Sequence, residues 1–236
     1  MDKRAVILAG GKGTRLKPYT ISLPKPLVPI GENPILEIII KILVKHNFTH
    51  ITIAINHQAD IIRAFFGTGE KWDVKIDYSL EDKPLSTMGP LRLIPDLPED
   101  FLVMNGDVLT DLNFMDFYEN HIKEKNIFTI SAYQQIEFVD FGVLNMDSTE
   151  TLMSFIEKPR IPYNVSMGIY MVNKKILQFI PYDQPYGFDN LMYDLIKTKN
   201  HPKVKVFNGY WLDIGRPDDY EQSINDYELL KNKFGW

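Results

Sequence analysis

The sequence predicts an α/β protein of three layers, α/β/α, around a mixed, mostly parallel central sheet. Three observations predict it. Apolar runs of strand length alternate with stretches of helical periodicity through the first half of the chain, the pattern of βαβ units and a parallel sheet. The opening run, Ala5-Val6-Ile7-Leu8, is continuously apolar, as in a strand buried on both faces. The second half is richer in strand-like segments, which add strands to that core. A length of 236 residues suits one sizeable domain and is short for two.

In order, residues 5–8 form the first strand. Asn33-Pro34 reads as an N-cap followed by proline at the first helical position. The helix it opens carries Ile35, Leu36, Ile38, Ile39, Ile42 and Leu43 on a broad apolar face, made to pack on a sheet. Residues 50–55 are a second strand, 58–66 a helix closed by Gly67, and 74–80 a third, alternating strand. The fourth strand, 101–105, runs into Gly106-Asp107. A helix over 114–125 and a strand over 128–133 follow. Strands are then expected at 141–145, 152–157 and 168–172, helices at 174–180 and 188–197, and short strands at 204–207 and 210–212. A closing helix begins at Pro217 and runs over 217–231. These elements make a single domain over 1–236: a core to about 135, a second part over about 136–216, and the closing segment 217–236. No hexapeptide repeat occurs, so no C-terminal β-helix domain is expected.

Composition narrows the function. Hydrophobic residues make up 44% and charged residues 24%, the balance of a globular protein. A net charge of −5 gives a nucleic-acid role no electrostatic support. The chain has no cysteine, which excludes disulfides, thiolate metal sites and a cysteine nucleophile. Its five histidines are scattered, with no H-E-x-x-H arrangement. The N-terminal apolar run is too short for a signal peptide, and no stretch approaches a membrane span. A cytoplasmic enzyme with no membrane partner is expected, and homo-oligomer formation is left open.

The stretch that carries chemistry is Leu8-Ala9-Gly10-Gly11-Lys12-Gly13-Thr14-Arg15-Leu16, running on to Pro24-Lys25-Pro26. Three glycines in four positions bare the backbone, so its N–H groups can approach an anion closely. Arg15 and Lys25 add fixed positive charge. It is not a dinucleotide fingerprint, because position 16 is leucine where G-x-G-x-x-G needs its third glycine. The P-loop string G-x-x-x-x-G-K-[ST] is also absent. The two-part motif G-G-x-G-T-R-L … P-K-P instead closely resembles the signature of the sugar-1-phosphate nucleotidylyltransferases, the NDP-sugar pyrophosphorylases. The resemblance spans Ala5 to about Pro217, with the motifs in the family's order, and its layout is most like the mannose-1-phosphate guanylyltransferases. It implies a Rossmann-like nucleotidyltransferase fold, with residues to about 135 as nucleotide-binding core and 136–216 as sugar-binding part.

Asp107 follows an apolar strand directly, where a parallel sheet has its ligand crevice, and a hard oxygen ligand there suits Mg²⁺. The family pairs it with Asp213, in Trp211-Leu212-Asp213-Ile214-Gly215-Arg216-Pro217, as second ligand of that metal. Asp111 is read as a cap or loop residue. The resemblance makes Arg15 and Lys25 catalytic, and Leu8, Ala9, Gly10, Gly11, Lys12, Gly13, Thr14, Glu81, Gly89 and Asn105 nucleotide-binding. It assigns the sugar phosphate to Gly142, Glu157, Lys158, Ser166 and Gly168. Serine stands at 166 where relatives often have asparagine. Glycines 142 and 168 let backbone approach hydroxyls, Glu157 accepts from them, and Lys158 meets the phosphate as a point charge.

The loop Glu81-Asp82-Lys83-Pro84-Leu85-Ser86-Thr87-Met88-Gly89 is similar to the family's base-reading loop, with Ser86 for its usual glycine and Met88 for its usual alanine. A carboxylate at Glu81 can accept guanine's N1–H and N2–H₂ together, whereas uracil and thymine offer one imide N–H between two acceptors. A solvated Glu81 is the competing reading. The expected reaction joins an NTP to a sugar 1-phosphate, giving an NDP-sugar and pyrophosphate. GTP with mannose 1-phosphate, or a manno-configured relative such as a heptose 1-phosphate, is favoured over glucose-1-phosphate uridylyl, thymidylyl or cytidylyl transfer. Two other classes stay open. A GT-A glycosyltransferase usually shows D-x-D, and position 109 here is leucine. A non-catalytic nucleotide-sugar sensor would not need Arg15, Lys25, Asp107 and Asp213 together.

Overall fold

The protein is described by a computed structural model covering residues 3–56 and 58–234; the two ends of the expected 1–236 domain, 1–2 and 235–236, lie outside the described residues. Strands β1 (Arg4–Leu8), β2 (Pro29–Ile30) and β3 (Asn33–Pro34) precede helix α1 (Ile35–Lys45). Then come β4 (His50–Ile55), α2 (Ala59–Phe66), β5 (Lys75–Leu80), β6 (Asp100–Asn105), β7 (Val108–Thr110) and α3 (Phe114–Lys123). The second half holds β8 (Phe128–Phe138), β9 (Val143–Met146), β10 (Leu152–Ile156), β11 (Arg160–Asn173), α4 (Phe188–Lys197), β12 (Lys203–Phe207), β13 (Trp211–Asp213), α5 (Pro217–Asn225) and α6 (Tyr227–Phe234).

Among the described residues the central sheet has seven strands in the order β12-β8-β11-β6-β1-β4-β5. β6, β1, β4 and β5 pair in parallel, β12 pairs in parallel with β8, and β11 runs antiparallel to both β6 and β8. The mixed, mostly parallel sheet expected from the sequence is therefore present. The chain leaves β1 toward β4 and returns on β1's other side as β6. This reversal of direction is where open α/β sheets bind ligands, beyond the carboxyl ends of their strands.

Alternate residues of each central strand feed opposite layers. Ala5, Ile7, Leu102 and Met104 join one buried cluster with Leu36, Ile39, Ile62, Phe114 and Phe117 from α1, α2 and α3. Val6, Phe101 and Val103 join a second with Leu91, Ile176, Leu191 and Leu195. Both faces are covered, which explains the unbroken apolar character of β1.

Several boundaries differ from expectation. Asn33 and Pro34 form β3 rather than a cap, because Asn33 Oδ1 accepts from Lys41 Nζ at 2.7 Å and α1 starts at Ile35. Residues 174–178 make a 3₁₀ turn rather than a full helix over 174–180. β8 and β11 are longer than expected and pair beyond the sheet as an arm reaching Phe138 and Arg160, with the β9–β10 hairpin between them. The closing helix is two helices, broken at Asp226, whose Oδ2 accepts from Tyr210 Oη at 3.2 Å. β7 carries no sequence signal that singles it out, yet it matters most to the site.

Candidate active site

The glycine loop leaves β1 with its first peptide groups already used: Ala9 N–H donates to the Ala54 carbonyl at 2.8 Å, and the Leu8 carbonyl accepts the Gly106 N–H at 3.0 Å. The free part of the loop therefore starts at Gly10. A Cβ on Gly11 would meet no heavy atom within 4 Å, so this glycine faces open space. Gly13 differs. Its φ is +61°, a left-handed value that glycine adopts without strain, and a Cβ there would lie 3.0 Å from Thr20 Cγ2 and 3.1 Å from Lys25 Cβ. Thr20 Oγ1 donates to the Gly13 carbonyl at 2.7 Å. Gly13 thus lets the loop close onto the segment carrying Lys25. Lys12, Thr14 and Arg15 are exposed, while the buried Leu16 anchors the short 3₁₀ turn that holds Arg15.

Asp107 follows β6, and Asp213 ends β13, 106 positions later in the sequence. The join is made by β7 and β13, an antiparallel pair that sets Asp213 opposite Val108, with Ile214 N–H donating to the Asp107 carbonyl at 3.0 Å. Lys25 Nζ forms an ion pair with Asp107 Oδ2. Asp213 opens to solvent on one side, yet partial desolvation of its carboxyl and the neighbouring Asp107 charge push it above the usual aspartate range, against the pull of Lys25 and Arg15. Asp107 Oδ1 is buried without a hydrogen-bond partner. Two carboxylates that repel one another, one of them with a buried oxygen left without a partner, fit a hard divalent cation that keeps water or substrate phosphates as its other ligands. Among the described residues no cluster of three or more acidic or histidine side chains forms.

A pocket of about 340 Å³ opens over the loop, lined by Leu8, Gly10, Gly11, Glu81, Leu85, Asn105 and Asp107 among others. Glu81 is 7% exposed, which removes the solvated alternative. Its Oε2 accepts the Leu85 N–H at 3.1 Å, and Oε1 would lie 2.8 Å from a Cβ on Gly10. Burial raises its pKa, partly offset by the Leu85 N–H. Ser86 takes a left-handed backbone, at φ +63°, a conformation that glycine adopts most easily. The loop is pinned from behind by Tyr186, whose carbonyl takes the N–H groups of Met88 and Gly89 at 2.9 Å each. Gly89 faces this support rather than the pocket, because a Cβ there would lie 2.9 Å from the Gln184 carbonyl.

The segments expected to bind sugar fall into two groups. Ser166 and Gly168 lie at an irregularity in β11, where Ser166 Oγ accepts the Gly168 N–H at 3.2 Å and Gly168, at φ +73°, packs on the Asn105 side chain. Gly142 and Glu157 meet on the arm, where a Cβ on Gly142 would lie 3.1 Å from Glu157 Oε2. Lys158 is exposed and pairs with Asp140 at 2.8 Å. Asp111 has the loop role expected of it, its Oδ1 accepting the Tyr210 N–H.

A second pocket, of about 490 Å³, opens beside the acid pair. Its wall includes Tyr133, Gln135, Trp211 and Arg216, none of which sequence reasoning assigned. Trp211 and Arg216 flank Asp213 in the sequence, and that adjacency was the available signal.

Comparison with known proteins shows the family. The family model for nucleotidyl transferases matches residues 4–229. A probable mannose-1-phosphate guanylyltransferase 1 from Oryza sativa subsp. japonica is 34% identical over 240 residues, covering 98% of this chain and 66% of the relative. A UTP–glucose-1-phosphate uridylyltransferase from Synechocystis is 31% identical, covering 94% and 62%. The crystal structure of HddC from Yersinia pseudotuberculosis complexed with GMP-PN superposes with a TM-score of 0.73 at 28% identity, covering 95% of this chain and 99% of that one. The chain thus spans slightly under two thirds of the length of these two curated relatives.

Proposed function

Because the chain belongs to the nucleotidyl transferase family, we propose that it transfers a nucleotidyl group from an NTP to a sugar 1-phosphate, releasing pyrophosphate and forming an NDP-sugar. The observation that carries this is the convergence of Lys25, Asp107 and Asp213 at the mouth of the glycine loop, with Arg15 beside them. GTP and mannose 1-phosphate, or a manno-configured relative such as a heptose 1-phosphate, are the proposed substrates. The guanylyltransferase relative and the buried Glu81 carboxylate support that choice. The uridylyltransferase relative supports UTP with glucose 1-phosphate as the second reading. The proposed compartment is the cytoplasm.

A phosphate oxygen of the sugar 1-phosphate attacks the α-phosphorus in line. The bond from that phosphorus to the bridging oxygen breaks, and its electron pair leaves with pyrophosphate. No protein nucleophile is needed, so catalysis is positioning and charge neutralisation. The Gly10–Gly13 backbone receives the phosphates, with Gly11 giving the closest approach. Lys25, held at the acid pair by Asp107, bridges the α-phosphate and the incoming phosphate, and Arg15 stabilises the charge on pyrophosphate. Mg²⁺, held by Asp107 and Asp213, would neutralise phosphate charge when bound. Glu81 accepts from the base edge. The sugar phosphate falls to Gly142, Glu157, Lys158, Ser166 and Gly168, with the exposed Lys158 free to trade its surface pair with Asp140 for phosphate.

A pyrophosphate-release assay over five NTPs and a panel of sugar phosphates tests the assignment. Release with GTP and a manno-configured sugar phosphate supports it; a preference for UTP, CTP or dTTP rejects the guanine assignment. No release with any pair rejects the enzyme.

A further inference from the structure

The pocket beside the acid pair contains a second arginine that the mechanism above does not use. Arg15 and Arg216 line it together with Asp213 and Asp219. The guanidinium of Arg15 lies over Gly215, with Nη2 3.5 Å and Cζ 3.7 Å from where a Cβ would stand, so the two arginines flank one stretch of backbone. Asp219 is not the partner of Arg216's guanidinium. Its Oδ2 accepts the backbone N–H groups of Gly215 and Arg216, at 3.2 and 2.8 Å, to start α5. Among the described residues no ion pair or hydrogen bond holds either guanidinium.

Two neutral polar groups of the same pocket are engaged. Trp211 Nε1 donates to the Met167 carbonyl at 3.1 Å, and Gln135 Oε1 accepts from Tyr163 Oη at 3.2 Å. The donors left uncommitted here include two guanidinium forks, whose geometry matches phosphate oxygens bidentately, which favours an oxyanion over a set of hydroxyls. Charge sets what the pocket can receive. With both arginines the two aspartates are balanced. Without Arg216 the pocket beside Arg15 is left net negative, and it would repel a departing polyanion.

We propose that Arg216 is a second leaving-group residue, which grips pyrophosphate alongside Arg15 as it departs. This rests on the nucleotidyl-transfer reaction proposed above and adds a residue to its pyrophosphate side. The alternative source of the same chemistry is the phosphate of the sugar substrate, and kinetics in both directions separate the two.

The test compares Arg216→Gln and Arg216→Lys with the wild-type chain. In the reverse direction, with NDP-sugar and pyrophosphate, KM for pyrophosphate should rise about tenfold in Arg216→Gln, as expected when a charge-assisted phosphate contact is lost. Product inhibition by pyrophosphate should weaken by a like factor, while KM for the sugar 1-phosphate stays within about twofold. Arg216→Lys should recover part of the loss. Calorimetric titration of inorganic pyrophosphate into nucleotide-free protein with Mg²⁺ should weaken in parallel, and this reading does not depend on turnover. A shift in the sugar 1-phosphate KM without one for pyrophosphate would overturn the proposal, as would unchanged pyrophosphate binding. If the wild type releases no pyrophosphate with any substrate pair, the reaction itself is refuted, and the titration still judges Arg216.

Discussion

Gly11→Val separates binding from folding at the loop around which the site is built. A Cβ at position 11 has no heavy atom within 4 Å, and the residue is exposed on the wall of the 340 Å³ pocket. The three added carbons therefore meet solvent in the free protein and a ligand in the complex. Stability should change by less than about 0.5 kcal/mol, the usual range for a surface site without special contacts. Binding should suffer more. Holding the phosphates off one backbone N–H forfeits a hydrogen bond to a charged group, worth about 1.5–3 kcal/mol, or about ten- to a hundredfold in affinity. Gly13→Ala is the opposite control. Its left-handed φ costs a side chain about 1–2 kcal/mol, and the Cβ presses on Thr20 and Lys25. For a chain of this size that lowers Tm by about 2–8 °C. Calorimetry with a non-hydrolysable GTP analogue, alongside thermal unfolding, reads both variants. Wild-type affinity in Gly11→Val would refute the assignment of this loop to phosphate.

Four further outcomes follow from the charges. Asp213→Asn should lower kcat by about a hundredfold or more, in line with lost transition-state electrostatics. It should nonetheless unfold at higher urea than the wild type at pH 7 without divalent cations. The native Asp213 carboxyl titrates above its unfolded value, so its ionisation costs stability as pH rises through the raised pKa; the advantage of the variant should vanish below the ordinary value near 3.8. Glu81→Gln should erase about a tenfold or greater preference for GTP over ITP, which lacks the N2 amino group, and in the wild type KM for GTP should rise on acidification beginning above the usual glutamate value of 4.5.

The parts of the site that the sequence made legible are those carried by contiguous residues. A buried strand running into three glycines, with Arg15 and Lys25 after them, announces an anion loop, and Asp107 stands at the end of an apolar run. What joins Asp107 to Asp213 was not legible, because β7 is three residues long and its pairing with β13 is a long-range event with no periodicity of its own. Glu81 could be recognised as informative but not as buried, since its burial depends on a loop held down by Tyr186 about a hundred positions later. The outer half of β11 escaped notice because Arg160 to Asn164 are exposed and include Pro162, a residue that argues against a strand. Asn33 misled for a plainer reason: its side chain serves Lys41 rather than the helix start.

The most direct test is pyrophosphate release on mixing the protein with GTP, Mg²⁺ and mannose 1-phosphate, run beside Lys25→Ala. The expected result is turnover that needs all three components and falls about a hundredfold or more in the variant. Pyrophosphate release by Lys25→Ala at the wild-type rate would contradict it.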